Sequence, residues 1–120
     1  MSTLASEAIA QAWFRAFNAH DLEALLALYD DRAEHFSPKL KVHRPETKGY
    51  IQGKEALRTW WRDAFERLPQ LRYEPIRILG GADMAFLEYL RKVPGEEDLR
   101  VGEVLEIREG RIFASRVYHS

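Results

Sequence analysis

The order of predicted elements places this sequence in the α+β class, with helices covering one face of a curved antiparallel sheet. Apolar residues recur at helical spacing through the first half of the chain, as far as Pro69. From Leu71 onward, strand-like segments are separated by short turns, which is typical of an antiparallel meander. A length of 120 residues fits a single domain, 1–120, that buries a core without disulfides.

Three helices are predicted before the meander. The first has Ile9, Trp13 and Phe17 at a spacing of four residues. The second begins after Asp21, a favourable N-cap, and is expected to end near residues 30–31. The third carries a broad apolar face between residue 54 and Pro69, which stops the pattern.

The remaining segments are predicted as strands and loops. A short strand over residues 33–38 leads into a loop or irregular hairpin before the third helix. After Pro69, the predicted strands cover residues 71–79, 84–93, 99–108 and 111–118. Their short connections imply antiparallel neighbours.

Composition excludes several classes of function. Lys and Arg total 18 against 19 Asp and Glu, so we expect no nucleic-acid partner. No apolar run is long enough to cross a bilayer, and the first residues do not resemble a secretory signal, so we expect no membrane partner and a cytoplasmic location. The chain has no cysteine, and its four histidines lack metal-ligand spacing, so we expect no metal and no cofactor.

Glu103 stands in the middle of an apolar row on the predicted strand 99–108. Side chains alternate faces along a strand, so Glu103 shares its face with Leu99, Val101, Leu105 and Ile107. A carboxyl on such a face is partly desolvated, which raises its pKa and lets it donate a proton near neutral pH. The alternative is a glutamate whose charge is satisfied by an arginine or by the backbone.

The turn over residues 108–111 decides what lies opposite Glu103. A two-residue hairpin places Arg116 there, as an ion pair, but requires positive φ at both Glu109 and Gly110. A type I turn with a glycine bulge requires positive φ only at the glycine, so the sequence favours the bulge.

The bulged register brings polar groups to the apolar face. It places Ser115 opposite Glu103, with Val117 and His119 further along the same face. It also directs Arg116 to the outer face, together with the apolar side chains of Val104, Ile112, Ala114 and Tyr118.

His35 and Ser37 alternate onto one face of the predicted strand 33–38. With an ordinary pKa near 6.5, His35 can accept a proton at cellular pH, so it is the candidate base opposite Glu103. The alternative is a hydrogen-bonded core histidine. The faces of Glu88, Tyr89 and Arg91 depend on the loop at residues 94–98 and stay open.

Three segments resemble the fold family that includes nuclear transport factor 2, ketosteroid isomerase and the SnoaL-like polyketide cyclases. Asn18-Ala-His-Asp-Leu-Glu-Ala-Leu-Leu-Ala-Leu-Tyr-Asp-Asp31 resembles the family's turn and second helix. Gly53-Lys-Glu-Ala-Leu57 resembles its entry to the third helix, and Glu106-Ile-Arg-Glu-Gly-Arg-Ile112 its last hairpin. The resemblance implies a cystatin-like cone with a cavity between helices and sheet, and a homodimer through the outer sheet face.

Position by position, the resemblance to ketosteroid isomerases is partial. Their aspartate base falls on Ser37, and their oxyanion-donating tyrosine falls on Trp13. Of the two tyrosines that support it, one stays as Tyr29 and the other falls on Trp61. Glu103 falls where that family places its second, proton-donating acid.

Two functions fit these observations. The first is a small enzyme or enzyme-like protein that binds an apolar, oxygenated small molecule for cofactor-free isomerisation, cyclisation or hydration. Glu103 is then the acid and His35 the base or polariser. The expected pocket wall comprises Trp13, Phe17, Tyr29, Ser37, Trp61, Ser115, Val117 and His119. The second function is a non-catalytic ligand-binding or assembly domain whose cavity is filled by its own aromatic side chains.

Overall fold

The computed structural model describes residues 2–119, and within them the α+β prediction is confirmed. The helices are α1 (Thr3–Asn18), α2 (Leu22–Ala27), α3 (Pro38–His43) and α4 (Lys54–Arg67), with a 3-10 turn at Pro45–Thr47. The strands are β1 (Tyr29–Phe36), β2 (Tyr50–Gln52), β3 (Arg72–Gly80), β4 (Met84–Lys92), β5 (Leu99–Arg108) and β6 (Arg111–Tyr118).

The strands form one sheet in the order β2-β1-β6-β5-β4-β3. All neighbours are antiparallel except β1 and β6, which run parallel. The sequence predicts a fully antiparallel sheet, and this pair departs from it because no short hairpin connects β1 to β6. A long connection leaves the direction of pairing free.

The helices lie on one face of the sheet and bury the core between the two layers. Its largest buried side chains include Trp13 and Phe17 from α1, Leu57 from α4 and Tyr89 from β4. No helix within residues 2–119 is long and apolar enough to cross a membrane. The cytoplasmic location stays a prediction.

The second helix is shorter than the sequence predicts. It ends at Ala27, and Tyr29 already belongs to β1, where it pairs with Ile112 of β6. The Ile112 amide donates to the carbonyl of Leu28 (2.8 Å). The pairing with a distant strand therefore overrides the helical pattern of the local sequence.

The segment expected to be a loop or irregular hairpin contains α3 and the short strand β2. Ser37 caps α3, because its hydroxyl accepts from the Lys39 amide (3.2 Å), and Pro38 occupies the first turn. Leu40 anchors the helix in the core. The cap and the buried Leu40 therefore hold α3 against the rest of the fold.

The predicted type I turn with a glycine bulge is wrong. Glu109 has φ 52° and Gly110 φ 79°, and Arg108 pairs with Arg111, so the connection is a two-residue turn. The register shift lies inside β6 instead, where Phe113 is the extra residue between Ile112 and Ala114. The Arg108 guanidinium packs over the Phe113 ring, with its central carbon 3.8 Å from the centroid of the ring.

This bulge changes the partners of Glu103 but leaves it facing the core. Glu103 lies opposite Val117, and Leu105 lies opposite Ser115. Arg116 is not opposite Glu103 and pairs with Glu106 (3.1 Å).

The outer-face prediction for Ile112 is wrong. The extra residue at Phe113 reverses the alternation of β6, so Ile112 is buried in the core. Ala114, expected on the same outer surface, is also buried, whereas Tyr118 is 57% exposed.

Candidate active site

A cavity of about 70 Å³ lies between the helices and the sheet. Most of the predicted site residues line it, namely Trp13, Phe17, His35, Ser37, Trp61, Glu103, Val117 and His119. Tyr29 and Ser115 do not line the cavity and lie behind its wall, hydrogen-bonded to side chains that do. The fold therefore brings most of the predicted side chains to one cavity, and their roles stay predictions.

Glu103 is buried in the cavity wall, and no cationic side chain within residues 2–119 forms an ion pair with it. The Tyr89 hydroxyl donates to its Oε1 (2.6 Å), and its Oε2 has no hydrogen-bond partner among residues 2–119. Burial raises the pKa of Glu103 to about 8, and the hydrogen bond from Tyr89 offsets only part of this effect. At neutral pH the carboxyl is mostly protonated. Because Oε1 accepts from Tyr89, the proton belongs on Oε2.

Tyr73 and Tyr89 also line the cavity. The sequence does not identify Tyr73 as a site residue, and it leaves the face of Tyr89 open. Tyr89 lies opposite Val101, on the inward face of β4. Burial, and then the nearby Glu103, raise the pKa of Tyr89 well above its ordinary value, so its hydroxyl stays a donor. The alternation of Ala85, Leu87 and Tyr89 is the sequence signal for this face, once Leu87 is known to pair with Glu103.

Four aromatic rings form one wall of the cavity. The Tyr73 ring stacks on Phe17 with centroids 3.9 Å apart and on Tyr89 with centroids 4.2 Å apart. Trp13 stacks on both Phe17 (5.5 Å) and Tyr73 (5.8 Å). Aromatic pairs in these geometries add stabilisation beyond the area that they bury. The wall is therefore rigid, and it occupies much of the space between α1 and the sheet.

A chain of hydrogen bonds reaches His35 from the core. Trp13 Nε1 donates to the Tyr29 hydroxyl (3.0 Å), which donates to Ser115 Oγ (3.1 Å). Ser115 Oγ lies 2.7 Å from His35 Nδ1. An indole N–H only donates, so the direction of the chain is set at its first member.

This chain assigns the tautomer of His35. If the Ser115 hydroxyl donates to His35 Nδ1, every donor of the chain has an acceptor; the reverse leaves the serine proton without one within the chain. His35 then carries its proton on Nε2. Burial lowers the pKa of His35 to about 4, so the ring is neutral and a weak base at neutral pH.

The cavity also has basic lining residues, of which the sequence considers only Arg91 and leaves its face open. Lys39 and His43 come from α3, Arg67 from the end of α4 and Arg91 from β4. Lys39 and His43 lie in the segment expected to be a loop. A loop has no regular spacing from which the direction of these side chains could be predicted. Within residues 2–119, no group of three or more His, Asp or Glu is placed to hold a metal ion.

Helices packed on one face of a curved, mostly antiparallel sheet are the architecture of nuclear transport factor 2-like and cystatin-fold proteins. The sequence profile of the SnoaL-like domain matches residues 10–115, and the chain belongs to this family. Comparison with curated proteins finds no significant match.

Solved structures agree with this assignment. A SnoaL-like protein of unknown function from Burkholderia thailandensis is 28% identical, with a TM-score of 0.89 over 99% of this chain and 97% of that one. A protein assigned as a ketosteroid isomerase from Kribbella flavida is 18% identical, with a TM-score of 0.80 over 97% and 78%. A protein assigned as a polyketide cyclase from Sinorhizobium meliloti is 19% identical, with a TM-score of 0.77 over 98% and 100%. At 18% and 19% identity the last two show the fold alone.

Proposed function

We propose that this SnoaL-like domain binds a small carbonyl compound in the cavity and catalyses cofactor-free proton transfer next to the carbonyl. Isomerisation, cyclisation and hydration are all reactions of this kind. The observation that carries the proposal is Glu103, a buried acid that lines the cavity and is protonated at neutral pH. One of its oxygens has no hydrogen-bond partner in the described part of the chain.

Glu103 is proposed as the proton donor. A catalytic acid works best when its pKa lies near the operating pH, and burial raises the pKa of Glu103 to about 8. After donating its proton the carboxylate can take one back from the substrate. An isomerisation therefore needs no second carboxylate, and Glu103 is the only acidic side chain lining the cavity among residues 2–119.

His35 is proposed to polarise the substrate carbonyl rather than to act as the base. Its Nδ1 is engaged with Ser115, and its pKa of about 4 makes it a poor proton acceptor at neutral pH. A neutral imidazole with its proton on Nε2 can donate to an oxygen that gains negative charge in the transition state. Trp13, Tyr29 and Ser115 then act as positioning residues, because they hold the ring in that tautomer.

Exchange of substrate hydrogens tests the proposed chemistry. In deuterium oxide, the chain is expected to accelerate exchange of the hydrogens next to the carbonyl of 2-butanone, followed by proton NMR. Glu103→Gln should reduce this acceleration by about 100-fold, a usual contribution of one general acid or base. Glu106→Gln is the matched control, because Glu106 is on the same strand and pairs with Arg116 on the outer face.

The small size of the cavity favours a second candidate function, a non-catalytic binding or assembly domain. A volume of about 70 Å³ is well below the roughly 150 Å³ that accommodates benzene in an engineered protein cavity. The stacked rings of Trp13, Phe17, Tyr73 and Tyr89 occupy the space between α1 and the sheet. If small ketones and phenols neither raise the melting temperature nor undergo exchange, this candidate replaces the enzyme.

We also propose a homodimer through the outer sheet face. A shallow groove there is lined by Met84, Val104, Glu106, Arg108 and Arg116, among others. A two-fold contact brings the same surface together twice, so a face that carries both signs of charge beside apolar side chains can match itself. Sedimentation equilibrium at micromolar concentration should show a dimer, and a monomer throughout would exclude it.

A further inference from the structure

The cavity lining is strongly basic for a site expected to hold an apolar molecule. Lys39, Arg67 and Arg91 line it together with His43. The only acidic side chain in the lining, among residues 2–119, is Glu103, which burial keeps mostly protonated at neutral pH. The lining therefore carries several positive charges and almost no negative charge.

The ion pairs of these cations are made with residues outside the cavity. Arg67 Nε contacts Asp63 Oδ2 (2.8 Å), and Arg91 contacts Glu96 Oε1 (3.0 Å). Neither acid lines the cavity. The Arg67–Asp63 pair is half-exposed and contributes little, and although Arg91 is mostly buried, its partner Glu96 is half-exposed. Both guanidinium groups can therefore share their partners with a bound anion. Within residues 2–119, no ion pair involves Lys39.

The placement of Lys39 follows from the capping and anchoring of α3. Ser37 caps this helix and Leu40 is buried beneath it, which leaves Lys39 half-buried at the cavity and Lys41 exposed. Two lysines on one short helix thus have different surroundings.

The basic residues are close enough to affect one another. Partial burial lowers the pKa of His43, and the charges of Arg67 and Lys39 lower it further, while the nearby Asp63 raises it and Arg91 has a smaller lowering effect. Positive charges held near one another repel, which opposes folding unless an anion lies among them.

We propose that the cavity binds a short oxo acid, whose carboxylate is held by Lys39, Arg67 and Arg91 while its carbonyl carbon chain enters the cavity. This inference rests on the proposed carbonyl chemistry and adds a charged group to the ligand. The planar guanidinium group of arginine can donate two parallel hydrogen bonds to the two oxygens of a carboxylate, and an ammonium group adds further donors. The volume of about 70 Å³ is about half of the roughly 150 Å³ that accommodates benzene, so only a short chain can enter.

A matched pair of probes isolates the charge of the ligand. We would measure binding of 4-oxopentanoate and of its neutral methyl ester by titration calorimetry and by chemical-shift changes at pH 7. The acid should bind about tenfold more tightly than the ester, in keeping with one or two charge-assisted hydrogen bonds at a partly exposed site. Added salt should weaken binding of the acid and leave binding of the ester unchanged.

Two lysine variants on α3 provide the control within the chain. Lys39→Met should weaken binding of the acid about fivefold and leave the ester unaffected. Lys41→Met, on the exposed side of the same helix, should change neither. Arg91→Met should act like Lys39→Met, with near-ultraviolet circular dichroism confirming that it folds.

Each outcome supports or overturns a definite statement. If the ester binds as tightly as the acid, or if Lys41→Met weakens the acid as much as Lys39→Met does, the inferred carboxylate site is wrong while the proposed carbonyl chemistry stands. If the acid, the ester and 2-butanone all fail to bind, the proposed carbonyl chemistry fails as well.

Discussion

Replacing Glu103 with glutamine should remove a pH-dependent loss of stability. Glu103 has an ordinary pKa of 4.5 in the unfolded chain and a pKa of about 8 in the folded one, where it is buried. Between these values the folded state binds more protons than the unfolded state. The free energy of unfolding therefore falls as the pH rises, because stability rises with pH only where the unfolded state binds more protons.

The size of the effect follows from the two pKa values. Each unit between them corresponds to about 1.4 kcal/mol, so the full loss between pH 4.5 and pH 8 is about 5 kcal/mol. This is a large part of the roughly 5–15 kcal/mol that stabilises a typical domain. Glutamine has nearly the same size, and its oxygen can still accept from Tyr89. Glutamine does not titrate, so any effect of the amide on the free energy of unfolding is the same at every pH.

Guanidinium denaturation at several pH values between 4.5 and 8.5 measures this difference. The free energy of unfolding of the native sequence should decline relative to Glu103→Gln, with most of the decline between pH 5 and pH 8. The groups that titrate in both proteins cancel in the comparison. Glu106→Gln, which changes an outer-face glutamate paired with Arg116, should follow the native sequence. Parallel profiles for the native sequence and Glu103→Gln would refute the reasoning.

Four further substitutions test particular parts of the structure by denaturation. Ser115→Ala removes the link between the core hydrogen bonds and the buried histidine, and should cost about 2–4 kcal/mol because two buried groups lose their partner. Gly80→Ala places a Cβ 2.4 Å from the Thr3 carbonyl oxygen and should cost about 2–3 kcal/mol, whereas Gly102→Ala, with its nearest contact at 3.4 Å, should be nearly neutral. Glu109→Asn should stabilise by about 0.5–1 kcal/mol, because asparagine tolerates the φ of 52° at this turn position; a loss of stability would argue against the two-residue turn.

Much of the fold could be predicted because its signals are local. The four-residue spacing of Ile9, Trp13 and Phe17 is sufficient to define α1, and Pro69 limits α4. The strands after Pro69 agree with the structure within one residue at each end, because turn residues separate them. The end of α2 is less clear from the sequence, since the pairing of Tyr29 with Ile112 is decided by residues far along the chain.

The inward face of Glu103 was predicted correctly from a turn that was wrong. The sequence favours an extra residue in the turn, because a positive φ at Glu109 is unfavourable. In the structure Glu109 nevertheless has a positive φ, and the extra residue is Phe113 in β6. An extra residue in the turn and an extra residue at Phe113 give the same alternation in β6 after the bulge, so Ser115 shares the interior face with Glu103 in both cases. The residue opposite Glu103 is Val117 in the structure.

Two parts of the candidate site could not be read from the sequence. The face of Tyr89 depends on the register in which β4 pairs with β5, and the loop at residues 94–98 does not fix this register. A shift of one residue would turn Tyr89 to the other face of the sheet. The cations of the lining come from α3, α4 and β4, elements that meet only in the folded chain. No spacing in the sequence connects Lys39 with Arg67 and Arg91.

The protonated state of Glu103 is the central claim, and carbon NMR of the glutamate carboxyl groups over a pH titration tests it most directly. Comparison with Glu103→Gln assigns the resonance. We predict a pKa of about 8, as expected for a buried carboxyl that, within residues 2–119, has one hydrogen bond and no cationic partner. A pKa at or below 4.5 would contradict the account, since it would mean that Glu103 is ionised in the folded chain and cannot donate a proton at neutral pH.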